Sequence, residues 1–84
     1  MAKGIHDARY RRLIEALLQA RRQAGLSQSE LAQRLGTRQQ FVSKFESGER
    51  RLDVVEFIDI GCALNVDVMP LLGDIARSAL VSRG

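Results

Sequence analysis

The sequence predicts an all-α fold, a single small domain of five helices in 84 residues. Apolar residues recur at spacings of three and four along most of the chain. Capping residues stand where those runs begin, and glycine stands where two of the first runs end. No stretch shows a strand pattern, an internal repeat or a low-complexity linker, and a chain this short builds one core.

Tyr10, Leu13, Ile14, Leu17, Leu18 and Arg21 fall on one stripe, which predicts a long first helix from about Asp7 to Ala24, ended by Gly25. Ser27 is followed three residues later by Glu30, and Thr37 by Gln40, so each pair reads as a capping box. Two short helices are therefore expected to start ten residues apart, the earlier one over about 28–35. Gly36 follows its last turn, where a left-handed backbone costs glycine little. Leu31 and Leu35 mark the buried stripe of one helix of this pair, Val42 and Phe45 that of the other, and Ala32 is small enough to let the axes cross closely. Asp53 caps a fourth helix through about Leu64, with Val55, Ile58 and Cys62 on one face. Asp67 opens a fifth, with Pro70 in its first turn, where the missing amide hydrogen costs little. Leu71, Leu72, Ile75, Ala76, Ala79 and Leu80 continue its apolar pattern. Residues 1–6 and 81–84 read as flexible tails around a domain over 7–80, with the short helical pair at about 28–46.

With Val42 and Phe45 inward, the front of the third helix presents Arg38, Gln39, Gln40, Ser43 and Lys44, none of them apolar. Glutamine matches adenine N6 and N7, lysine reaches guanine O6 and N7, and serine serves either kind of edge. An ordinary polar helix face is the plain alternative. The charge distribution favours the base-reading one. Residues 1–51 carry eleven Lys and Arg against five acids, whereas residues 52–84 carry two against five. A net +6 therefore sits beside the third helix and a net −3 beyond it, so the overall +3 conceals a basic half suited to a polyanion.

Catalysis finds no support. His6 is the single histidine and lies in the N-terminal tail. Cys62, the single cysteine, lies on an apolar stripe without a partner for a triad, a disulfide or a zinc site, and reads as a buried small hydrophobe. The acids are scattered at helix starts, where they act as caps, and no glycine-rich phosphate loop is present. No catalytic residue, metal or cofactor is expected. No run reaches the length of a membrane-spanning helix or looks like a signal peptide, so a cytoplasmic protein without membrane contact is expected.

The run from Leu26 to Leu72 closely resembles the helix-turn-helix domain of lambdoid phage repressors, Cro proteins and Xre-type bacterial regulators. The resemblance extends over about 9–72. Its most specific residues are Leu26, Gln28, Glu30, Leu31, Ala32, Gly36, Val42, Ser43, Glu46, Gly48 and Arg50, with Ala63 and Leu64 beyond. It implies a compact five-helix, lambda-repressor-like domain that binds duplex DNA, usually as a dimer on a two-fold site. It also implies that Gln28 holds a phosphate and braces the reading helix, and that Gln39, Gln40 and Lys44 meet base edges. Ser43 and Arg38 match positions that alternate between bases and backbone. Arg50 and Arg51 match a phosphate-contacting loop around Gly48, or are solvated surface. Ala32, Gly36, Val42 and Glu46 match structural positions. Arg21 matches an arginine that bonds the glutamate at Glu46 and also approaches phosphate, a role the adjacent Arg22 could take. Phe41 and Phe45 depart from the common pattern, and Phe41 either extends the core edge or reaches a thymine methyl. Glu49 stands where a basic residue is frequent.

The expectation is thus a sequence-specific regulator of transcription, a repressor by promoter occlusion, that reads the major groove with its third helix. With no sensor or cleavage domain following, it resembles the minimal members of the group. The competing reading is an antitoxin or adaptor that grips another protein through its fourth and fifth helices. The apolar fifth helix suggests a homodimer seam, the alternative being a monomer in which the whole stripe folds back on the first helix.

Overall fold

In the computed structural model, which describes residues 7–83, five helices follow one another: α1 (Ala8–Gln23), α2 (Gln28–Leu35), α3 (Gln39–Ser47), α4 (Val54–Ala63) and α5 (Met69–Arg83). The expected tail at 1–6 lies outside the described residues, His6 with it, as does Gly84. Helix α5 continues past residue 80 to Arg83.

Local chemistry accounts for most helix starts. The Asp7 carboxylate accepts from the Arg9 amide at 2.8 Å and opens α1. Ser27 and Glu30 form the reciprocal box at α2, and Asp53 and Glu56 form a second one at α4. Asp67 accepts from the Met69 amide at 3.0 Å ahead of α5. The box expected at Thr37 does not form. Arg38 is the N-cap of α3, and its side chain makes no capping bond. The Thr37 amide instead donates to the Ala32 carbonyl at 2.9 Å, closing the turn that ends α2. Two local motifs compete for Thr37, and the helix-ending turn takes it, so α3 starts eleven residues after α2.

Four helices end alike. Leu26, Thr37, Glu49 and Val66 each send an amide back five residues, to the carbonyls of Arg21, Ala32, Lys44 and Gly61. The left-handed residue is Gly25, Gly36, Gly48 and, at α4, Asn65, with φ of 73°, 71°, 89° and 57°. At Gly48 a side chain would also place its Cβ 2.6 Å from Arg11 Nη1. That guanidinium tip can swing away, so the backbone dominates: Gly48→Ala is expected to cost about 1–2 kcal/mol in a urea melt. A neutral result would show that the turn after α3 relaxes.

Ile14 and Leu17 of α1, Leu31 and Ala32 of α2, and Val42 and Phe45 of α3 meet Leu52, Phe57, Ile60 and Leu64 in one core. Helix α2 packs on α3 and α4, and α1 on α3 and α5. The face expected for α4 is corrected. Val55 and Ile58 are 65% and 40% exposed, and Cys62 is exposed rather than buried. Phe57, Ile60 and Gly61 point inward instead. In the run VVEFIDIGCAL only Glu56 and Asp59 are charged, three apart on one side, and the apolar arc covers more than half of the helix, so periodicity does not select which part of that arc is buried. The bulk of Phe57 and the fit of Gly61 against Val68 do, since a Cβ at 61 would overlap the valine. In α5, Leu71, Leu72, Ile75 and Ala79 are half-buried, while Ala76 and Leu80 are exposed.

Candidate nucleic-acid interface

Gly36 turns the chain so that α3 lies across α2 with its first residues outward. Gln39 and Gln40 are exposed on the opening turn, Lys44 is exposed one turn after Gln40, and Ser43 is half-buried beside them. Gln40 and Lys44, four apart, share one face. Arg38 is exposed at the N-cap. With no side chain capping α3, its first amides have no side-chain acceptor and its positive dipole end is uncovered.

A chain of polar contacts fixes the helix from beneath. Arg21 donates to Glu46 through Nε at 2.7 Å and Nη2 at 3.1 Å, and through Nη1 to the Leu26 carbonyl at 2.8 Å. Arg21 and Glu46 are only 11% and 5% exposed at their side chains. Gln28 Nε2 donates to Glu46 Oε1 at 2.9 Å, and Gln39 Nε2 reaches Gln28 Oε1 at 3.4 Å, the long end of a hydrogen bond. Ser29 Oγ donates to Gln39 Oε1 at 3.0 Å. The pair expected between Arg21 and Glu46 thus forms, made by Arg21 and not by the neighbouring Arg22, and it continues through Gln28 to Gln39. Most of the Arg21 guanidinium faces inward partners, which makes it a brace for α3.

The loop after α3 separates two adjacent arginines. Arg51 stacks on Tyr10, its Cζ 5.3 Å from the ring centroid, and makes no ion pair among the described residues. Arg50, expected on phosphate, is held by its own fold. Its Nη1 and Nη2 donate to the two Glu56 oxygens at 3.0 and 2.8 Å, and its Cζ lies 4.9 Å from the Phe41 centroid. Phe41 takes the core-edge role, its ring 5.5 Å from that of Phe45. Tyr10 Oη accepts from the Leu52 amide at 2.9 Å and anchors the loop to α1. Sequence reading missed Ser29, Tyr10 and Glu56 as supports. Only Glu56 left a signal, standing three residues after the cap Asp53.

The Arg50 guanidinium, with help from the Asp53 amide, holds the Glu56 carboxyl below the usual glutamate range. The Ser27 amide and then its hydroxyl do the same to Glu30. Because both folded values are lowered, the stability they contribute is complete above the ordinary value of about 4.3 and is lost as pH falls through the folded values. The melting temperature should hold between pH ~7 and ~5 and drop below pH ~4. A melting temperature that rises on acidification would refute these pairings.

Among the described residues no group of three His, Cys, Asp or Glu stands close enough to hold a metal. A cavity of about 190 Å³ beside Tyr10, Leu13, Phe57 and Leu72 is smaller than an ordinary small-molecule site of ~300 Å³ or more.

A short helix laid across its predecessor, braced from behind and polar in front, defines a helix-turn-helix domain of the DNA-binding kind. The helix-turn-helix family matches residues 17–71. Among solved structures, the XRE-family like protein from Pseudomonas syringae pv. tomato str. DC3000 superposes with a TM-score of 0.80 at 50% identity, covering 90% of this chain and 93% of that one. The chain belongs to the Xre-type helix-turn-helix family of DNA-binding regulators, with the all-α lambda-repressor-like fold. No curated protein matches it. No helix among the described residues is long and apolar enough to cross a membrane.

Proposed function

We propose that the protein is a sequence-specific repressor, acting in the cytoplasm without chemistry of its own, that inserts α3 into the major groove. Gln39, Gln40 and Lys44, with Ser43 beside them, read base edges. Gln28, Arg38 and Arg51 hold the flanking phosphates together with the uncapped amides of α3, while Arg21 orients that helix and adds to the basic field. The observation that carries this reading is the Arg21–Glu46–Gln28–Gln39 chain, which fixes a reading side chain in place before DNA arrives. Exposed Leu80 and Val81 support a homodimer seam in the α5 region, matched to a two-fold site.

A second reading, an antitoxin or adaptor, draws support from Val54, Val55, Ile58 and Cys62, exposed on α4. Fluorescence anisotropy at two salt concentrations separates the two, with DNA from upstream of the gene compared with a scrambled duplex. A preference of at least ~10³ for the upstream DNA is expected of a specific reader. Equal, weak and salt-sensitive binding to both would overturn self-repression and favour a protein partner.

A further inference from the structure

Arg50 and Arg51 are neighbours in the loop that leaves the reading helix, where Arg50 Nη1 donates to the Arg51 carbonyl at 3.2 Å, yet the groups that meet their guanidinium ends differ. Each guanidinium lies over an aromatic ring, but only Arg50 meets a carboxylate, through two parallel hydrogen bonds of 3.0 and 2.8 Å. Such fork-to-fork pairing occupies the same donors that a phosphate would take. Glu56 is itself fixed: its Oε1 also accepts from the Asp53 amide at 2.9 Å, and its own amide donates to Asp53 at 2.7 Å. The carboxylate is therefore anchored at the N-terminus of α4 rather than free to follow the arginine. We propose that Glu56 withholds Arg50 from the DNA backbone, leaving Arg51 as the cation of this loop that meets phosphate. The inference rests on the DNA-reading function above. Its effect is to reduce the sequence-independent part of the affinity while the Arg50 side chain, stacked on Phe41, still ties α3 to α4.

Each phosphate neutralised by a cation adds ~0.9 to the slope of log affinity against log salt. The test measures that slope on a mixed-sequence duplex for the wild type, R50M, E56Q and R50M/E56Q, with R51M alongside. Glutamine at position 56 can still close the capping box. Thermal melts establish that each variant is folded at the assay temperature, and R50Q replaces R50M if the latter is not. R50M is expected to leave the slope unchanged, since Arg50 touches no phosphate in the wild type. E56Q is expected to steepen it by ~0.9, about a 3.5-fold change in affinity over a fourfold salt range, by releasing Arg50. The double variant should return to the wild-type slope, and R51M should be shallower by ~0.9. Additive slopes overturn the proposal in either form: equal and opposite shifts show a general charge effect, and a loss with R50M in both backgrounds shows Arg50 already on phosphate. A wild type without salt-dependent DNA binding would instead overturn the functional reading itself, and this proposal with it.

Discussion

Glu46→Ala is expected to destabilise the domain by about 3 kcal/mol, read as the loss of unfolding free energy in a urea melt. The carboxylate is 5% exposed and accepts from three donors, two of Arg21 and one of Gln28. Truncation leaves a guanidinium that is 11% exposed with only the Leu26 carbonyl, and an uncompensated charge at that depth costs far more than a surface pair is worth. A domain of 84 residues has about 4–12 kcal/mol in total, so the variant should remain folded in the cold and melt at a clearly lower temperature than the wild type. DNA binding should fall even where the variant is folded, because Gln28 loses the acceptor that sets its amide, and Gln39 loses its brace. A stability loss below ~1 kcal/mol would place the pair with ordinary exposed ion pairs and remove it from the account of how α3 is oriented.

Gln40→Ala should weaken binding to the operator by ~1–3 kcal/mol, about 5- to 150-fold, and leave affinity for random duplex nearly unchanged. Gln40 is exposed, and no hydrogen bond ties its amide to another described residue, so its donor and acceptor are available to a base edge. The start of α3 at Gln39 matters here. In the expected capping box Gln40 would have reached back to the Thr37 amide, but that amide bonds Ala32 instead. Gln39→Ala differs in kind, because it also removes the partner of Gln28 and Ser29. Paired titrations of operator and scrambled DNA separate the cases. Equal losses on both sequences for Gln40→Ala would assign it to the backbone and withdraw it from base reading.

Much of the fold was legible in the residues because helix ends are local chemistry. Ser27 with Glu30, the cap at Asp53, and Gly25 and Gly36 are each decided within five or six residues, and spacing alone finds them. Thr37 shows where that logic stops: the end of one helix and the start of the next were both plausible for it, and only one amide was available. The outward polar set of α3 followed in the same way once Val42 and Phe45 were placed inside.

The sequence by itself determined five helices, their order, a basic half, and a third helix with amides at its front. Only the tertiary structure decided which face of α4 is buried, since an element whose apolar arc is wider than its buried face takes its rotation from the neighbours that enclose Phe57 and Gly61. The family resemblance already implied that Arg21 and Glu46, 25 residues apart, would pair, and only the tertiary structure decided that they do so away from water and in a chain running on through Gln28 to Gln39. It also divided two adjacent arginines, setting Arg50 against Glu56 and Arg51 over Tyr10. Periodicity reports which residues share a face; which charges lie opposite that face depends on how helices distant in the chain are packed together.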